Sequence, residues 1–194
     1  MTDLYTTIPG WLQAEQVNNL LADILPVIAS TDSKLTNTVK FAEIGVYMGR
    51  GTALFNQYFK HYNIDYKHYA IDHFQGSEEH GKNINYWKLA NSYLEPIMDN
   101  INLIKNDSVA ESKNYPNHFF DIVYIDASHD YNSVKQDIAT WLPLVREGGV
   151  ICGDDYNPGW PGVIKAVDTV FNNSVNVADT YQWWVKVTNN YSPE

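Results

Sequence analysis

The sequence predicts an α/β protein in which strands and helices alternate along the chain and the strands form a mostly parallel sheet. Short β-branched runs such as residues 119–125 and 149–153 are bounded by turn residues, a pattern typical of strands buried in a parallel sheet. Residues 131–145, between these runs, carry apolar side chains at helical spacing. Each run ends in polar residues, and open α/β sheets bind ligands at the carboxyl ends of their strands. The pattern therefore predicts both the fold class and the edge of the sheet that carries the site.

Length and composition set further bounds. With 194 residues the chain is expected to form a single domain, in which residues 1–30 are an N-terminal arm and helix. The formal net charge of −10 disfavours a nucleic-acid partner. Cys152 is the single cysteine, so no internal disulfide can form and a buried thiol is expected. No signal-peptide pattern and no run of about 18 apolar residues is present, so we expect a cytoplasmic protein without a membrane partner.

A glycine-rich turn follows the first predicted strand, residues 39–44. Gly45, Gly49 and Gly51 form the pattern Gly-x-x-x-Gly-x-Gly, and residues 52–60 follow as a predicted helix. A strand, a glycine turn and a helix are the start of a nucleotide site, because glycine permits a tight turn and close approach of a ligand to the backbone. The pattern alone also fits an ordinary structural turn.

Polar residues follow the second and third predicted strands, residues 67–71 and 101–105. Asp72 ends the second strand, where an acid commonly accepts the two hydroxyl groups of a ribose; a cap or turn is the alternative. Asp107 and Ser108 follow the third strand. They could hydrogen-bond the edge of an adenine base or cap the next helix, and both roles can hold at once.

The remaining elements are predicted from periodicity. Apolar residues at helical spacing predict three further helices: residues 11–30, 83–97 and 163–171. Two strand patterns, residues 175–178 and 182–187, predict a hairpin at the end of the sheet. The polar residues 73–81, with His73 and His80, are a candidate lid. Residues 147–149 are expected to end the helix over residues 131–145, because two glycines are a common helix stop.

Three carboxylates and an imidazole follow the two strand-like runs at residues 119–125 and 149–153. Asp126 and His129 come after the earlier strand, and Asp154 and Asp155 come after the later one. Carboxylates packed together repel one another, and a hard divalent cation removes that repulsion. Oxygen ligands from two adjacent strand ends suit Mg²⁺. The alternative is that Asp154 and Asp155 only cap a loop.

The residues singled out so far resemble the class I S-adenosylmethionine-dependent methyltransferases over residues 39–156. The likeness lies in the following stretches: residues 41–49 (FAEIGVYMG), Asp72, Asp107 with Ser108, residues 125–131 (IDASHDY) and residues 148–156 (GGVICGDDY). The last two stretches are similar to those of the metal-dependent O-methyltransferases of sugars and glycosylated natural products, the macrocin, mycinamicin and novobiocin type.

This resemblance implies a Rossmann-like, seven-stranded, mostly parallel sheet with an antiparallel last strand and helices on both faces. The seven strand patterns agree with it. The implied activity is transfer of a methyl group from S-adenosylmethionine to a hydroxyl of a small molecule or glycan, with Mg²⁺ as a second cofactor. A homo-oligomer is compatible with the sequence.

The resemblance also implies roles for individual residues. The expected S-adenosylmethionine contacts are Glu43, Gly45 and Gly49 at the methionine and ribose parts, Asp72 at the ribose, and Asp107 and Ser108 at the adenine. The expected metal ligands are Asp126, Asp154 and Asp155. His129 is expected to be the general base, since imidazole titrates near neutral pH, and Asp126 to take part in catalysis beside it.

Two other classes of protein share parts of this pattern. A short-chain NAD(P)-dependent dehydrogenase has a similar glycine turn, and Tyr131 and Lys135 mimic its catalytic pair. However, Tyr131 follows the turn too closely for that fold, and the three aspartates would have no role. A non-catalytic binding protein of the same fold is the second alternative. A nucleic-acid methyltransferase is disfavoured because the chain is acidic and lacks an Asn/Asp-Pro-Pro-Tyr motif.

Overall fold

The computed structural model describes residues 3–31, 38–76, 83–172 and 174–188, and within these residues seven strands form one sheet. The strands are β1 (Val39–Ile44), β2 (Tyr66–Asp72), β3 (Ile101–Lys105), β4 (Phe120–Ile125), β5 (Val145–Gly153), β6 (Asn176–Val177) and β7 (Trp183–Lys186). Their order is β3-β2-β1-β4-β5-β7-β6. The first five strands are parallel, and β7 runs antiparallel to both β5 and β6. The predicted fold class is confirmed.

Helices cover both faces of this sheet. They are α1 (Ala14–Thr31), α2 (Arg50–His61), α3 (Tyr86–Leu94), α4 (Ser108–Ser112), α5 (Tyr131–Trp141) and α6 (Pro161–Phe171), with short 3₁₀ turns at Leu4–Thr7, Glu95–Asn100 and Leu142–Leu144. Apolar residues of α1 and α2 form one buried cluster against the sheet, and those of α5 and α6 form another. Burial of these apolar residues holds the helices against the sheet. Among the described residues, no helix is both long and apolar enough to cross a bilayer.

The parallel register places the predicted site residues at one edge of the sheet. Ile44 at the end of β1 pairs with Ile71 on one side and with Ile125 on the other. Ile125 in turn pairs with Gly153 at the end of β5. Because these strands end at the same level, the residues that follow each of them emerge together at the carboxyl edge.

The segment between α5 and β5 differs from the prediction. The helix predicted over residues 131–145 ends at Trp141, and β5 already begins at Val145. Pro143 has no N–H to donate to the carbonyl four residues earlier, so the α-helix gives way to the 3₁₀ turn at Leu142–Leu144 earlier than the apolar spacing indicates. The two glycines predicted to stop the helix lie inside β5. They form an irregularity opposite Asp121, with Gly148 at φ 74° and Gly149 so close to the Asp121 carbonyl that a Cβ would lie 2.7 Å from it.

Other expectations differ from the structure mainly at element ends. The strands β1 and β3 have the predicted bounds, whereas the helix predicted over residues 83–97 is α3 followed by a 3₁₀ turn that contains Pro96. Cys152 is fully buried and its thiol donates to the Val123 carbonyl at 3.3 Å, and burial raises the thiol pKa well above its usual range. His80 and most of the predicted lid lie outside the described residues.

Candidate functional site

A cavity of about 520 Å³ lies at the carboxyl edge of the sheet, within the roughly 300–1,000 Å³ usual for small-molecule sites. The structure brings nearly all predicted site residues to its wall: Glu43, Gly45, Asp72, Asp107, Ser108, Asp126, His129, Asp154 and Asp155. Gly49 does not line the cavity. It begins α2 with φ 95°, and a Cβ on it would lie 2.9 Å from the Leu94 side chain, so its place in the fold is one of backbone conformation and packing.

The Asp72 carboxylate organises the glycine turn. Its Oδ2 accepts hydrogen bonds from the backbone N–H groups of Val46 (2.9 Å) and Tyr47 (2.8 Å), and its Oδ1 accepts one from Phe74 N (2.5 Å). Gly45 has φ 97°, and a Cβ there would overlap the carbonyl oxygen of Asp126. This turn is therefore held in one conformation by a carboxylate on one side and by the close approach of β4 on the other.

Glu43 lies beneath this turn and is almost fully buried. Its Oε2 accepts a hydrogen bond from Thr52 Oγ1 at 2.6 Å. His68 Nε2 lies 2.9 Å from the same oxygen, without hydrogen-bond alignment, and its ring packs against Phe41 and Phe55. The sequence pattern did not identify His68, because one histidine inside a strand carries no local signal.

Asp107 and Ser108 lie at the far end of the cavity, beyond Asp72. Asp107 caps α4 by accepting a hydrogen bond from Ala110 N at 2.9 Å, so its predicted capping role is confirmed. Ser108 Oγ donates to Oδ1 of Asp137 at 2.5 Å. Asp137 is a further wall residue that the sequence pattern did not identify, since a polar residue in an amphipathic helix is unremarkable by spacing.

Asp126, His129 and Asp155 form a compact cluster at the other end of the cavity. Each offers a ligand atom, and these atoms all lie within 4.8 Å of one another. His129 Nε2 lies 2.9 Å from Asp155 Oδ2. The His129 ring stacks on Trp160, with a centroid distance of 3.9 Å and an interplanar angle of 22°. A carboxylate and an indole thus fix the position of this imidazole.

Asp154, the third predicted metal ligand, lies beside this cluster and is held by protein donors. Its Oδ1 accepts from Asp155 N (2.8 Å) and from Gln182 Nε2 (2.7 Å). Its Oδ2 has longer contacts with Gln16 Nε2 (3.4 Å) and the Tyr124 hydroxyl (3.5 Å). The two glutamines come from α1 and from the residue before β7. No sequence signal identified them, because only the fold brings such distant amides to one carboxylate.

Negative charge accumulates at this end of the cavity. Burial raises the pKa of Asp126 well above its ordinary value, and the charges of Asp154, Asp155 and Glu43 raise it further. Burial also raises the pKa of Asp154 to about 6. Among the described residues that line the cavity, Arg50 is the only lysine or arginine. Its guanidinium donates to three backbone carbonyls of the N-terminal arm instead, so no lysine or arginine of the described wall offsets these carboxylates.

The N-terminal arm forms part of the cavity wall near the glycine turn. Trp11 contacts Tyr47, with ring centroids 5.2 Å apart, although 68% of its surface is exposed. By contrast, the pair that mimics a dehydrogenase, Tyr131 and Lys135, is not among the described wall residues. Lys135 Nζ lies 5.9 Å from the centre of the Tyr131 ring. The geometry therefore does not favour the dehydrogenase alternative.

A comparison with protein families shows to which family the chain belongs. Residues 42–156, more than half of the chain, match the family described as "Methyltransferase domain" (Methyltransf_24). The chain belongs to this methyltransferase family. The predicted membership of the class I S-adenosylmethionine-dependent methyltransferases is therefore confirmed. No curated protein matches the sequence.

Solved methyltransferase structures share the fold. The O-methyltransferase NovP is similar with a TM-score of 0.64 and 16% identity, over 90% of this chain and 80% of that one. CalS11, a TDP-rhamnose 3′-O-methyltransferase of calicheamicin biosynthesis, gives 0.53 and 19% over 95% and 90%. MycE methyltransferase of the mycinamycin pathway, in complex with Mg, SAH and mycinamycin VI, gives 0.54 and 18% over 92% and 56%. At these identities the likeness is one of fold.

The wall of the methyltransferase cavity fits both groups that the sequence predicted. A glycine turn, Asp72 and the Asp107–Ser108 pair line one half, which suits a nucleoside because backbone and carboxylate groups converge on one volume. The acidic cluster lines the other half. Carboxylates whose pKa values are raised by burial and by one another are a donor set that a divalent cation would stabilise.

Proposed function

We propose that this methyltransferase transfers the methyl group of S-adenosylmethionine to a hydroxyl group of a small molecule or sugar, and that a divalent cation, Mg²⁺, orients the acceptor. The observation that carries the proposal is the cluster of Asp126, His129 and Asp155 in the same cavity as the glycine turn and Asp72. A metal ligand set and a base next to a nucleoside site suit metal-assisted transfer of a methyl group to a hydroxyl.

The cofactor half of the cavity would hold S-adenosylmethionine. Glu43 and Gly45 are proposed to lie near the methionine and ribose parts, Asp72 at the ribose hydroxyls, and Asp107 and Ser108 at the base. Gly49 would shape this half indirectly, as it begins α2 behind the turn. S-adenosylmethionine, when bound, supplies an electrophilic methyl group on a sulfonium sulfur.

The acidic half would hold the metal ion and the acceptor. Asp126, Asp154 and Asp155 are the proposed ligands, because three carboxylates match the preference of Mg²⁺ for oxygen. Gln182 Nε2 and Asp155 N both donate hydrogen bonds to Oδ1 of Asp154. These bonds fix the orientation of its carboxylate. The ion, when bound, would supply a Lewis acid that lowers the pKa of an acceptor hydroxyl.

His129 is the proposed general base. The Asp155 carboxylate, whose Oδ2 lies 2.9 Å from Nε2, stabilises the imidazole after it takes up the proton of the acceptor hydroxyl. The stack on Trp160 fixes the plane of the ring, so the imidazole does not need to be ordered during the reaction. Asp126 acts beside it, at the junction of the two halves of the cavity.

The acceptor class is proposed from the aromatic wall and from the structural relatives. Trp11 and Trp160 both line the cavity, and indole faces suit the flat apolar faces of sugar or aromatic rings. NovP is described as an O-methyltransferase. CalS11 and MycE belong to the biosynthesis of calicheamicin and of mycinamycin, and CalS11 acts on a TDP-rhamnose. These relatives support a sugar or glycosylated small molecule as the acceptor.

Calorimetric titration tests the proposal on wild type, Asp154→Asn and the control Asp23→Asn, which changes an exposed acid of α1. We expect wild type and Asp23→Asn to bind S-adenosylhomocysteine, and in its presence Mg²⁺ or Mn²⁺. Asp154→Asn should bind the nucleoside but lose at least tenfold in metal affinity, roughly the lower limit for disturbing a metal site. Wild type that binds S-adenosylhomocysteine but no metal would refute the metal proposal, and failure to bind S-adenosylhomocysteine would refute the whole assignment.

A further inference from the structure

One buried acid of the cofactor half has no role in the proposed function. Asp137 lies on the face of α5 that also carries Ser133 and Gln136, and all three residues line the cavity. Ser133 lies three residues before Gln136 and four before Asp137, a spacing that places it beside both on the surface of a helix. Asp137 is only 5% exposed, so its carboxylate faces the cavity from a largely enclosed position.

The protein satisfies this carboxylate only in part. Ser108 Oγ donates to Oδ1 at 2.5 Å, and the described residues offer no hydrogen bond to Oδ2. Burial raises the pKa of Asp137 to about 6, the Ser108 hydrogen bond lowers it, and the charges of Asp107 and Asp130 raise it. A buried carboxylate with one acceptor oxygen unused is costly in a folded protein, which points to a hydrogen-bond donor on a ligand.

The position of Asp137 indicates which part of a nucleoside this donor belongs to. Asp72, the proposed ribose contact, is the last residue of β2, and Ser108 follows β3, the neighbouring strand at the edge of the sheet. A nucleoside whose ribose lies at Asp72 therefore directs its base toward the end of β3. Through its contact with Ser108, Asp137 lies at that end.

We propose that Asp137 is the residue that selects adenine, by accepting a hydrogen bond from the exocyclic amine of the base at Oδ2, while Ser108 holds Oδ1. The proposal rests on the proposed function, because it takes the cofactor half to be a nucleoside site. An ionised carboxylate accepts hydrogen bonds and cannot donate them. It therefore pairs with the amine of adenine and opposes the carbonyl oxygen that hypoxanthine carries at the same position.

Changing the base of the ligand and the side chain at position 137 tests the proposed hydrogen bond between Asp137 and the adenine amine. S-adenosylhomocysteine and its deaminated analogue S-inosylhomocysteine are titrated calorimetrically into wild type, Asp137→Asn and the control Asp23→Asn. Wild type and the control should prefer the adenine ligand by roughly 10- to 100-fold, the range for one good hydrogen-bonded contact to a base edge. In Asp137→Asn, Ser108 can still donate to the amide oxygen. The amide N–H₂ then faces the cavity, where it opposes an amine and matches a carbonyl, so the preference should vanish or reverse.

The ratio of the two affinities separates this role from a purely structural one. A substitution that only loosens α5 would weaken both ligands alike, so an unchanged preference in Asp137→Asn would overturn the proposal. Thermal unfolding of the same samples checks that the variant is folded, which we expect because the substitution removes a buried charge. If wild type binds neither ligand, the proposed function fails; if it binds S-adenosylhomocysteine and Asp137→Asn keeps the preference, only the role of Asp137 fails.

Discussion

Asp72 ends β2 and Asp126 directly follows β4, so both lie at the carboxyl edge of the sheet, but the surroundings of the two carboxylates differ. Asp72, the last residue of β2, accepts hydrogen bonds from three backbone N–H groups. Asp126, after β4, receives no side-chain hydrogen bond from the described residues and faces the charges of Asp154, Asp155 and Glu43. One half of the cavity is complete without a ligand, whereas the other half concentrates charge that the protein leaves unbalanced.

This difference is what the proposed function requires of one cavity that holds two kinds of ligand. Backbone donors stabilise the Asp72 carboxylate and the glycine turn together, so the nucleoside half is preorganised and loses little entropy on binding. The acidic half has no such donors for Asp126, so uptake of a proton or of the proposed cation would lower its energy. Asp137 is the exception in the nucleoside half, since it is 5% exposed and the described residues offer a hydrogen bond to only one of its two carboxylate oxygens.

The largest effect is expected from His129→Ala. Loss of a general base typically lowers turnover by about 10²- to 10⁴-fold. The variant should bind S-adenosylhomocysteine as wild type does, because His129 lies in the acidic half of the cavity and not in the nucleoside half with Asp72. Release of S-adenosylhomocysteine with an acceptor that wild type methylates measures the rate. His61→Ala, on the exposed last turn of α2, is the control and should retain full activity.

Two results would change this picture. Turnover of His129→Ala equal to that of the control would remove His129 from the role of base. A loss of Mg²⁺ affinity as large as that in Asp154→Asn would instead make His129 a metal ligand, consistent with its place within 4.8 Å of the Asp126 and Asp155 oxygens.

A smaller effect, of about 3 kcal/mol, is expected in the pH dependence of stability at Asp137. Its pKa is about 6 in the folded protein and 3.8 in its ordinary state, and each unit corresponds to about 1.36 kcal/mol. Because the folded-state pKa is raised, the protonated carboxyl stabilises the fold below about pH 4. This contribution is lost as the pH rises through about 6. Asp137→Asn removes the loss.

Urea unfolding of wild type and Asp137→Asn between pH 4 and pH 7 measures this difference. Groups other than Asp137 titrate in both proteins, so they largely cancel when the two unfolding free energies are subtracted. The variant should gain on wild type as the pH rises, by up to about 3 kcal/mol at pH 7. A difference that does not change with pH would show that the carboxyl of Asp137 is not held away from water as its burial indicates.

Much of this architecture follows from local sequence patterns. The strands β1 and β3 have the predicted bounds, because β-branched runs bounded by turn residues leave few alternatives. Asp72 and Asp126 were placed at the cavity from the sequence alone, since a residue that directly follows a parallel strand must lie at its carboxyl end. The parallel register of the strands then brings these residues to the same edge of the sheet.

The parts that the sequence did not predict depend on contacts between distant residues. Gly148 and Gly149 were expected to stop a helix, but they form an irregularity inside β5, which only the pairing with β4 defines. Gln182 and Gln16 reach Asp154 from opposite ends of the chain. Single amides and acids such as Asp137 belong to no recognisable sequence motif. Their contacts can be identified only in the folded structure, where residues distant in the sequence lie side by side.

The smallest predicted effect tests the contrast between the two halves of the cavity directly, with the matched pair Asp72→Asn and Asp126→Asn in the absence of metal. An amide at position 72 cannot accept from three N–H groups as a carboxylate does, so stability should fall by at least about 1 kcal/mol. At position 126 the amide removes a charge that faces the charges of Asp154, Asp155 and Glu43, so stability should rise by about 1 kcal/mol. For a chain of this size these changes correspond to melting temperatures about 2–4 °C lower for Asp72→Asn and about 2–4 °C higher for Asp126→Asn.

Added Mg²⁺ should raise the melting temperature of wild type and of Asp72→Asn but not that of Asp126→Asn. Shifts of the same sign in both variants without metal would mean that the acidic half is as well balanced by the protein as the nucleoside half.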